Sequence, residues 1–125
     1  MGAVREETSL KKLAEKFAQY QKKSFPDPGD DSDMQDLDEG LLEYGYRVAN
    51  YISRVLRGEV SRLGRFQRWR RLGKRIERLM MGKPEFAERL REYSEIYERL
   101  EELLDMAEAL LEERKKEPRA SAGLQ

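Results

Sequence analysis

The chain has 125 residues with 25 basic and 25 acidic side chains, so its formal net charge is zero although charged residues make up 40% of it. Neither cysteine nor histidine occurs, which excludes disulfides, thiol nucleophiles, thiolate metal sites and imidazole bases or ligands. The length is that of one domain, and the abundance of helix formers with only four prolines predicts an all-α protein. No apolar run approaches the roughly 18 residues of a membrane span, and the N-terminus lacks a signal-peptide core. We therefore expect a cytoplasmic protein with no membrane partner.

The N-terminal part of the sequence predicts one helix followed by a loop. The helix covers residues 7–23, and its apolar residues recur at steps of three and four: Leu10, Leu13, Phe17 and Tyr20. Residues 24–36 combine two prolines, a glycine and several aspartates, which predicts an acidic loop. Asp33 or Asp36 is expected to be the N-cap of the next helix.

The second predicted helix covers residues 37–57. Its buried face is marked by apolar residues at helical spacing: Leu41, Tyr44, Val48, Ile52 and Val55. Gly58 is expected to end the helix. The alternative is a helix that continues through Gly58 into the next element. Gly40 and Gly45 each weaken the helix by up to ~1 kcal/mol relative to alanine.

The third predicted helix covers residues 60–81, and Gly82 and Pro84 mark its end. It lies in the most basic part of the chain, since residues 54–78 contain 10 basic and 2 acidic side chains. The regions on either side are both acidic. A neutral chain can therefore still carry a strong local positive potential.

The fourth predicted helix, residues 84–117, has the clearest pattern. Its apolar seam alternates steps of four and three, as in a coiled coil: Phe86, Leu90, Tyr93, Tyr97, Leu100, Leu104, Ala107 and Leu111. Ile96, Leu103 and Leu110 add a second row. Pro118 ends the helix, and we expect residues 118–125 to be a disordered tail.

The third and fourth helices are expected to form a long antiparallel hairpin through the short Gly-Lys-Pro turn. The predicted register joins five pairs: Met80 with Phe86, Ile76 with Leu90, Gly73 with Tyr93, Trp69 with Tyr97 and Phe66 with Leu100. The first two helices, or a second copy of the chain, must cover the rest of the fourth helix. The prediction is a single domain, residues 1–125, forming a small four-helix bundle.

The stretch RLGRFQRWRRLGKRIERL, residues 62–79, carries eight basic residues and one acid. Phe66 and Trp69 have two interpretations: they stack on nucleic-acid bases, or they pack in the hairpin seam, which their spacing favours. Arg65 and Arg70 would then flank the seam and pair with glutamates of the fourth helix. The remaining basic residues are predicted to face outward: Arg68, Arg71, Lys74, Arg75 and Arg78.

These five outward residues are the predicted polyanion-binding site. Arg and Lys contact phosphates without sequence preference, so DNA or RNA is the expected partner and an acidic protein surface is an alternative. A third interpretation is a solvated face that contacts the chain's own acidic segment. That segment, residues 27–39, has seven acids and no basic residue, so it would compete with a polyanion.

The alternating aspartates also suggest the start of an EF-hand calcium loop. If the loop begins at Asp31, then Asp33 and Gln35 fall on ligand positions, but Asp36 occupies the glycine position and Leu42 that of the final glutamate. We therefore predict no metal and no cofactor.

Catalysis has little support in the pattern. The acids of the fourth helix fall mostly on outer positions, where they stay solvated. Four residues of the second helix recur at steps of three and four, and we interpret them as a packing edge of that helix: Tyr44, Arg47, Tyr51 and Arg54.

We predict a non-catalytic binding protein that acts as a small subunit of a larger nucleoprotein assembly. The alternative is a protein-interaction or homodimerisation module that uses the apolar seam of the fourth helix.

Overall fold

The structure is a computed structural model and describes residues 2–116, with side chains from residue 8 to residue 115. Within this range there are four α-helices, one short 3-10 turn and no strand. The elements are α1 (Gly2–Gln21), α2 (Ser32–Leu56), α3 (Gln67–Gly82), the 3-10 turn Pro84–Phe86 and α4 (Ala87–Lys116). The all-α class is thus confirmed. The tail predicted at residues 118–125 lies outside the described residues.

Helix α2 begins at Ser32, earlier than the predicted residue 37. Asp31 is its N-cap, and not Asp33 or Asp36 as expected: the Asp31 carboxylate accepts hydrogen bonds from the backbone amides of Asp33 and Met34, at 2.9 and 3.1 Å. Such a cap satisfies amides that have no partner within the helix. The last part of the acidic loop predicted at residues 24–36 is therefore helical.

The end of α2 agrees with the prediction. The helix ends at Leu56, and Gly58 has a φ of 72°, a conformation that side chains other than glycine rarely adopt. The alternative of one helix that continues through Gly58 is wrong.

The predicted start of the third helix at residue 60 is also wrong, because α3 begins only at Gln67. The preceding connection, residues 57–66, is not helical. The Tyr51 hydroxyl of α2 donates to the carbonyl of Arg62 at 3.0 Å and accepts from the amide of Gly64 at 3.1 Å. These hydrogen bonds use backbone groups that an α-helix would have paired locally. The first part of the basic stretch, residues 62–66, therefore lies in an irregular segment.

Helix α4 forms the centre of the core, since it contacts α1, α2 and α3. Each of the other helices contributes fully or almost fully buried apolar side chains: Leu13 and Phe17 from α1, Leu41, Val48 and Ile52 from α2, and Trp69, Leu72 and Ile76 from α3. Gly45 of α2 is buried where Trp69 approaches, and a Cβ there would lie 3.3 Å from the indole ring. A glycine that weakens α2 locally thus makes room for α3.

The contacts between α3 and α4 agree only in part with the predicted register. The rings of Trp69 and Tyr97 stack as expected, with their centroids 4.6 Å apart. Gly73, however, faces Tyr97 and not Tyr93, since a Cβ at Gly73 would lie 2.8 Å from the Tyr97 ring. Phe66 packs against Tyr51 of α2, with ring centroids 5.1 Å apart, because it precedes the helix instead of belonging to it.

Candidate nucleic-acid interface

Three of the five predicted binding residues form an outward row on α3. Arg71, Lys74 and Arg78 are exposed, and none of them has an ion pair or hydrogen bond with another described residue. Their spacing of three and four places them on one side of the helix. The opposite side carries the buried Trp69 and Ile76. The row therefore consists of positive charges that the fold itself does not use.

The other two predicted residues lie at the boundary with α2. Arg68 Nη1 donates to the Tyr44 hydroxyl at 3.3 Å. Arg75 lies 4.0 Å from the Asp36 carboxylate, and both side chains are well exposed to solvent, so this ion pair contributes little to stability. The expectation that all five residues point away from the rest of the chain is thus corrected: two of them contact α2 while remaining accessible.

Arg70 pairs with α4 as predicted. Its guanidinium lies 3.3 Å from Glu101 and 3.4 Å from Glu108, and Glu101 also accepts a hydrogen bond from the indole nitrogen of Trp69 at 2.8 Å. Burial raises the pKa of Glu108, although the Arg70 guanidinium acts in the opposite direction. Arg65 does not pair in this way, because it lies in the connection before α3 and has no partner among the described residues.

The acidic segment reaches the end of α3 but not the outward row. The Lys83 ammonium, which follows α3, lies 2.7 Å from Asp31 and 3.0 Å from Asp33. The hydrogen bond from Lys83 lowers the pKa of Asp31, and the same bond raises the pKa of Lys83. Further along, Asp38 accepts from the Tyr93 hydroxyl at 3.2 Å. Part of the segment's charge is therefore neutralised without covering the row.

A cavity of about 520 Å³ opens beside Arg68, between α2 and the start of α3. Besides Gln67, its lining consists of three arginines and three aromatic residues: Arg47, Arg65, Arg68, Tyr44, Phe66 and Trp69. No carboxylate lines it. The sequence pattern did not predict this cavity, because it assigned Arg65 and Phe66 to a helix. Two features of the sequence pointed toward such a site: the Tyr44–Arg47 pair, and the glycines at 58 and 64 that favour a non-helical connection.

The apolar seam of α4 is largely enclosed by the chain itself. Leu90, Tyr93, Leu100 and Leu104 are 0% exposed and Leu111 is 2% exposed, while Phe86 and Tyr97 are half-buried. Burial of these side chains removes most of the seam's apolar area from contact with another molecule.

Neither a metal centre nor a membrane span occurs among the described residues. Within residues 2–116, no three acidic side chains come together as metal ligands would, and no helix has an apolar stretch of the length that crosses a bilayer. Comparison of the chain with protein families, with curated proteins and with solved structures gives no significant match. The assignment of a function therefore depends on the geometry and the charges described above.

Proposed function

We propose that this chain is a non-catalytic binding protein that contacts nucleic acid through one face of α3. This basic face consists of Arg71, Lys74 and Arg78, with Arg68 and Arg75 at its edge. The observation that carries the proposal is the absence of any ion-pair partner for Arg71, Lys74 and Arg78 among the described residues. The chain has as many acidic as basic side chains. These three basic residues therefore lack partners although the chain as a whole has enough carboxylates to pair with them.

The geometry of the basic face suits a phosphate backbone. Arg71 and Arg78 are seven residues apart on one helix, which corresponds to about 10 Å along its axis. One strand of DNA presents a negative charge about every 3.4 Å, so the row can contact more than one phosphate. Glu77 is the one acid of α3, and it lies on the flank that also carries Arg70, outside the row.

The proposal includes the finer architecture of the chain. In it, α3 returns along α4 as an antiparallel hairpin within a small four-helix bundle, so that the buried side of α3 holds the basic face in place. Support comes from the stacking of Trp69 on Tyr97 and from the ion pairs of Arg70 with Glu101 and Glu108.

Contacts made through phosphates alone carry no sequence information. We therefore expect the basic face to bind DNA and RNA without strong sequence preference. Three to five phosphate contacts give only modest affinity at physiological salt, which suits a small subunit that acts within a larger nucleoprotein assembly. The interaction-module alternative has less support, because the seam of α4 is buried inside the chain.

The test is a titration of fluorescently labelled oligonucleotides at ~50 mM salt, followed by anisotropy. One variant combines Arg71→Gln, Lys74→Gln and Arg78→Gln. A control variant combines Lys11→Gln, Lys12→Gln and Arg91→Gln, which removes the same charge from exposed positions on α1 and α4. Helical circular dichroism and the fluorescence of the single tryptophan, Trp69, check that both variants fold.

We expect the basic-face variant to bind roughly ten-fold or more weakly than the wild type, and the control variant to bind nearly as well as the wild type. Equal binding by all three proteins would exclude the basic face as the site. The absence of binding by the wild type would exclude the function.

A further inference from the structure

We infer that the cavity between α2 and the start of α3 binds one nucleotide of a single-stranded nucleic acid. We call it the arginine cavity and define it by the six residues named above: Arg47, Arg65, Arg68, Tyr44, Phe66 and Trp69. The inference rests on the proposed function and extends it. It narrows the proposed ligand from DNA or RNA of any form to a strand with an unpaired base.

The charges of the arginine cavity favour a phosphate. Arg65 has no partner among the described residues, and Arg68 donates to the uncharged Tyr44 hydroxyl. Arg47 lies 3.5 Å from Glu43 in an exposed pair, with its guanidinium 5.9 Å from the centre of the Tyr44 ring. Guanidinium groups match phosphate oxygens with two parallel hydrogen bonds, and an exposed pair such as Arg47–Glu43 offers little competition.

The aromatic side chains of the cavity supply the surface on which a base would stack. Tyr44 and Phe66 are only half-buried, so parts of their rings remain open to a ligand. Trp69 is 1% exposed and stacked on Tyr97, so it forms a wall and does not offer a free face. Bases of a single strand stack readily on such rings, whereas bases in a duplex are already stacked on each other. The volume of about 520 Å³ is within the usual range for small-ligand sites.

The arginine cavity and the basic face form one continuous surface. Arg68 belongs to both, and Arg71 follows less than one helical turn later. Arg78 lies about 15 Å from Arg68 along the helix axis. A strand with one base in the cavity therefore has its neighbouring phosphates within reach of the basic face.

The connection before α3 creates the cavity. The Tyr51 hydroxyl holds this segment by donating to the Arg62 carbonyl and accepting from the Gly64 amide, and the Phe66 and Tyr51 rings pack in a T-shaped arrangement. Arg65 and Phe66 line the cavity from this non-helical segment.

The test compares two labelled probes at one salt concentration: a single strand of twelve deoxythymidines and a duplex of twelve base pairs. A surface that reads only phosphates would favour the duplex, which has the higher charge density. We expect the wild type to prefer the single strand. A cavity variant that combines Arg65→Gln with Phe66→Leu should bind the single strand roughly ten-fold more weakly and the duplex unchanged.

Two single substitutions distinguish a loss of binding from a loss of folding. Arg65→Gln removes an exposed side chain that has no partner among the described residues, so it should weaken single-strand binding alone. Arg62→Gln is the matched control, because Arg62 lies in the same connection but outside the cavity lining. It should leave the affinity for both probes unchanged.

The outcomes separate the two hypotheses. If the wild type prefers the duplex, or if the cavity variant leaves both affinities unchanged or lowers both equally, the inference is overturned while the basic face stands. If the wild type binds neither probe, both the inference and the proposed function are overturned.

Discussion

Gly73 lies at a close contact between α3 and α4. A Cβ on Gly73 would lie 2.8 Å from the Tyr97 ring, and that ring cannot easily move because Trp69 stacks on it and its hydroxyl donates to the carbonyl of Arg70 at 3.1 Å. Burial raises the pKa of Tyr97 to about 12, in keeping with a hydroxyl that stays protonated. One missing side chain thus permits the contact that holds the basic face against the core.

Gly73→Ala should therefore destabilise the chain by about 1–3 kcal/mol, the usual cost of an overpacked contact. Gly82→Ala, at the end of the same helix, meets no atom within 4 Å and should change stability by less than about 0.5 kcal/mol. Urea unfolding followed by Trp69 fluorescence measures both. If Gly73→Ala and Gly82→Ala had the same free energy of unfolding, the Tyr97 ring would have to move aside without cost.

Asp31 acts both as the N-cap of α2 and as the partner of Lys83. Its pKa is lowered, first by the hydrogen bond from Lys83. A carboxyl whose pKa is lower in the folded state stabilises the fold above its unfolded pKa of about 4, and loses that effect as the pH falls through the folded value.

Asp31→Asn keeps a side-chain oxygen for the cap but removes the charge. We expect the variant to be less stable than the wild type at pH 7, and we expect the difference to shrink as the pH is lowered below the unfolded pKa of about 4. Urea unfolding across this range measures the effect. A difference that does not change with pH would mean that the Asp31–Lys83 pair contributes nothing.

At the scale of elements, the connection between α2 and α3 decides where the arginine cavity forms. It contains no helix or strand from residue 57 to residue 66, and the Tyr51 hydroxyl attaches its residues Arg62 and Gly64 to α2. Tyr51 is mostly buried, and that burial raises the pKa of its hydroxyl.

Tyr51→Phe should lower the free energy of unfolding by about 1–2 kcal/mol, because two hydrogen bonds are removed at once. Trypsin should then cleave more rapidly after Arg62 and Arg65. Tyr46→Phe is the control, since Tyr46 is 76% exposed, and it should leave stability and cleavage unchanged. Identical cleavage rates for the wild type and Tyr51→Phe would exclude this role of the hydroxyl.

The elements also show how far the sequence pattern could predict the structure. Apolar spacing predicted the helices and most of their buried residues, because helical periodicity is a local property of the chain. The start of α3 could not be predicted in this way: residues 60–66 have helix-compatible spacing, but the Tyr51 hydroxyl of α2 bonds the Arg62 carbonyl and the Gly64 amide. The arginine cavity depends on that contact between distant residues. The outward row at Arg71, Lys74 and Arg78 was predicted, since it lies where the helical pattern holds.

For the whole molecule, the separation of charge along the chain is the property that links fold and proposed function. Residues 54–78 hold 10 of the 25 basic side chains and only 2 of the 25 acids. Part of this excess pairs with acids from outside the region, through Arg70 with Glu101 and Glu108 of α4 and through Arg75 with Asp36 of α2. The fold leaves Arg71, Lys74 and Arg78 without partners among the described residues, although α4 carries many acidic side chains.

The most direct test of this account is the salt dependence of nucleic-acid binding. The logarithm of the association constant for a duplex is measured against the logarithm of the salt concentration. The slope decreases in magnitude by roughly 0.9 for each phosphate that the protein no longer neutralises. The variant without Arg71, Lys74 and Arg78 should therefore have a slope smaller in magnitude by about 2–3 than that of the wild type, and the Lys11, Lys12 and Arg91 control should match the wild type. Identical slopes for all three proteins would contradict the account.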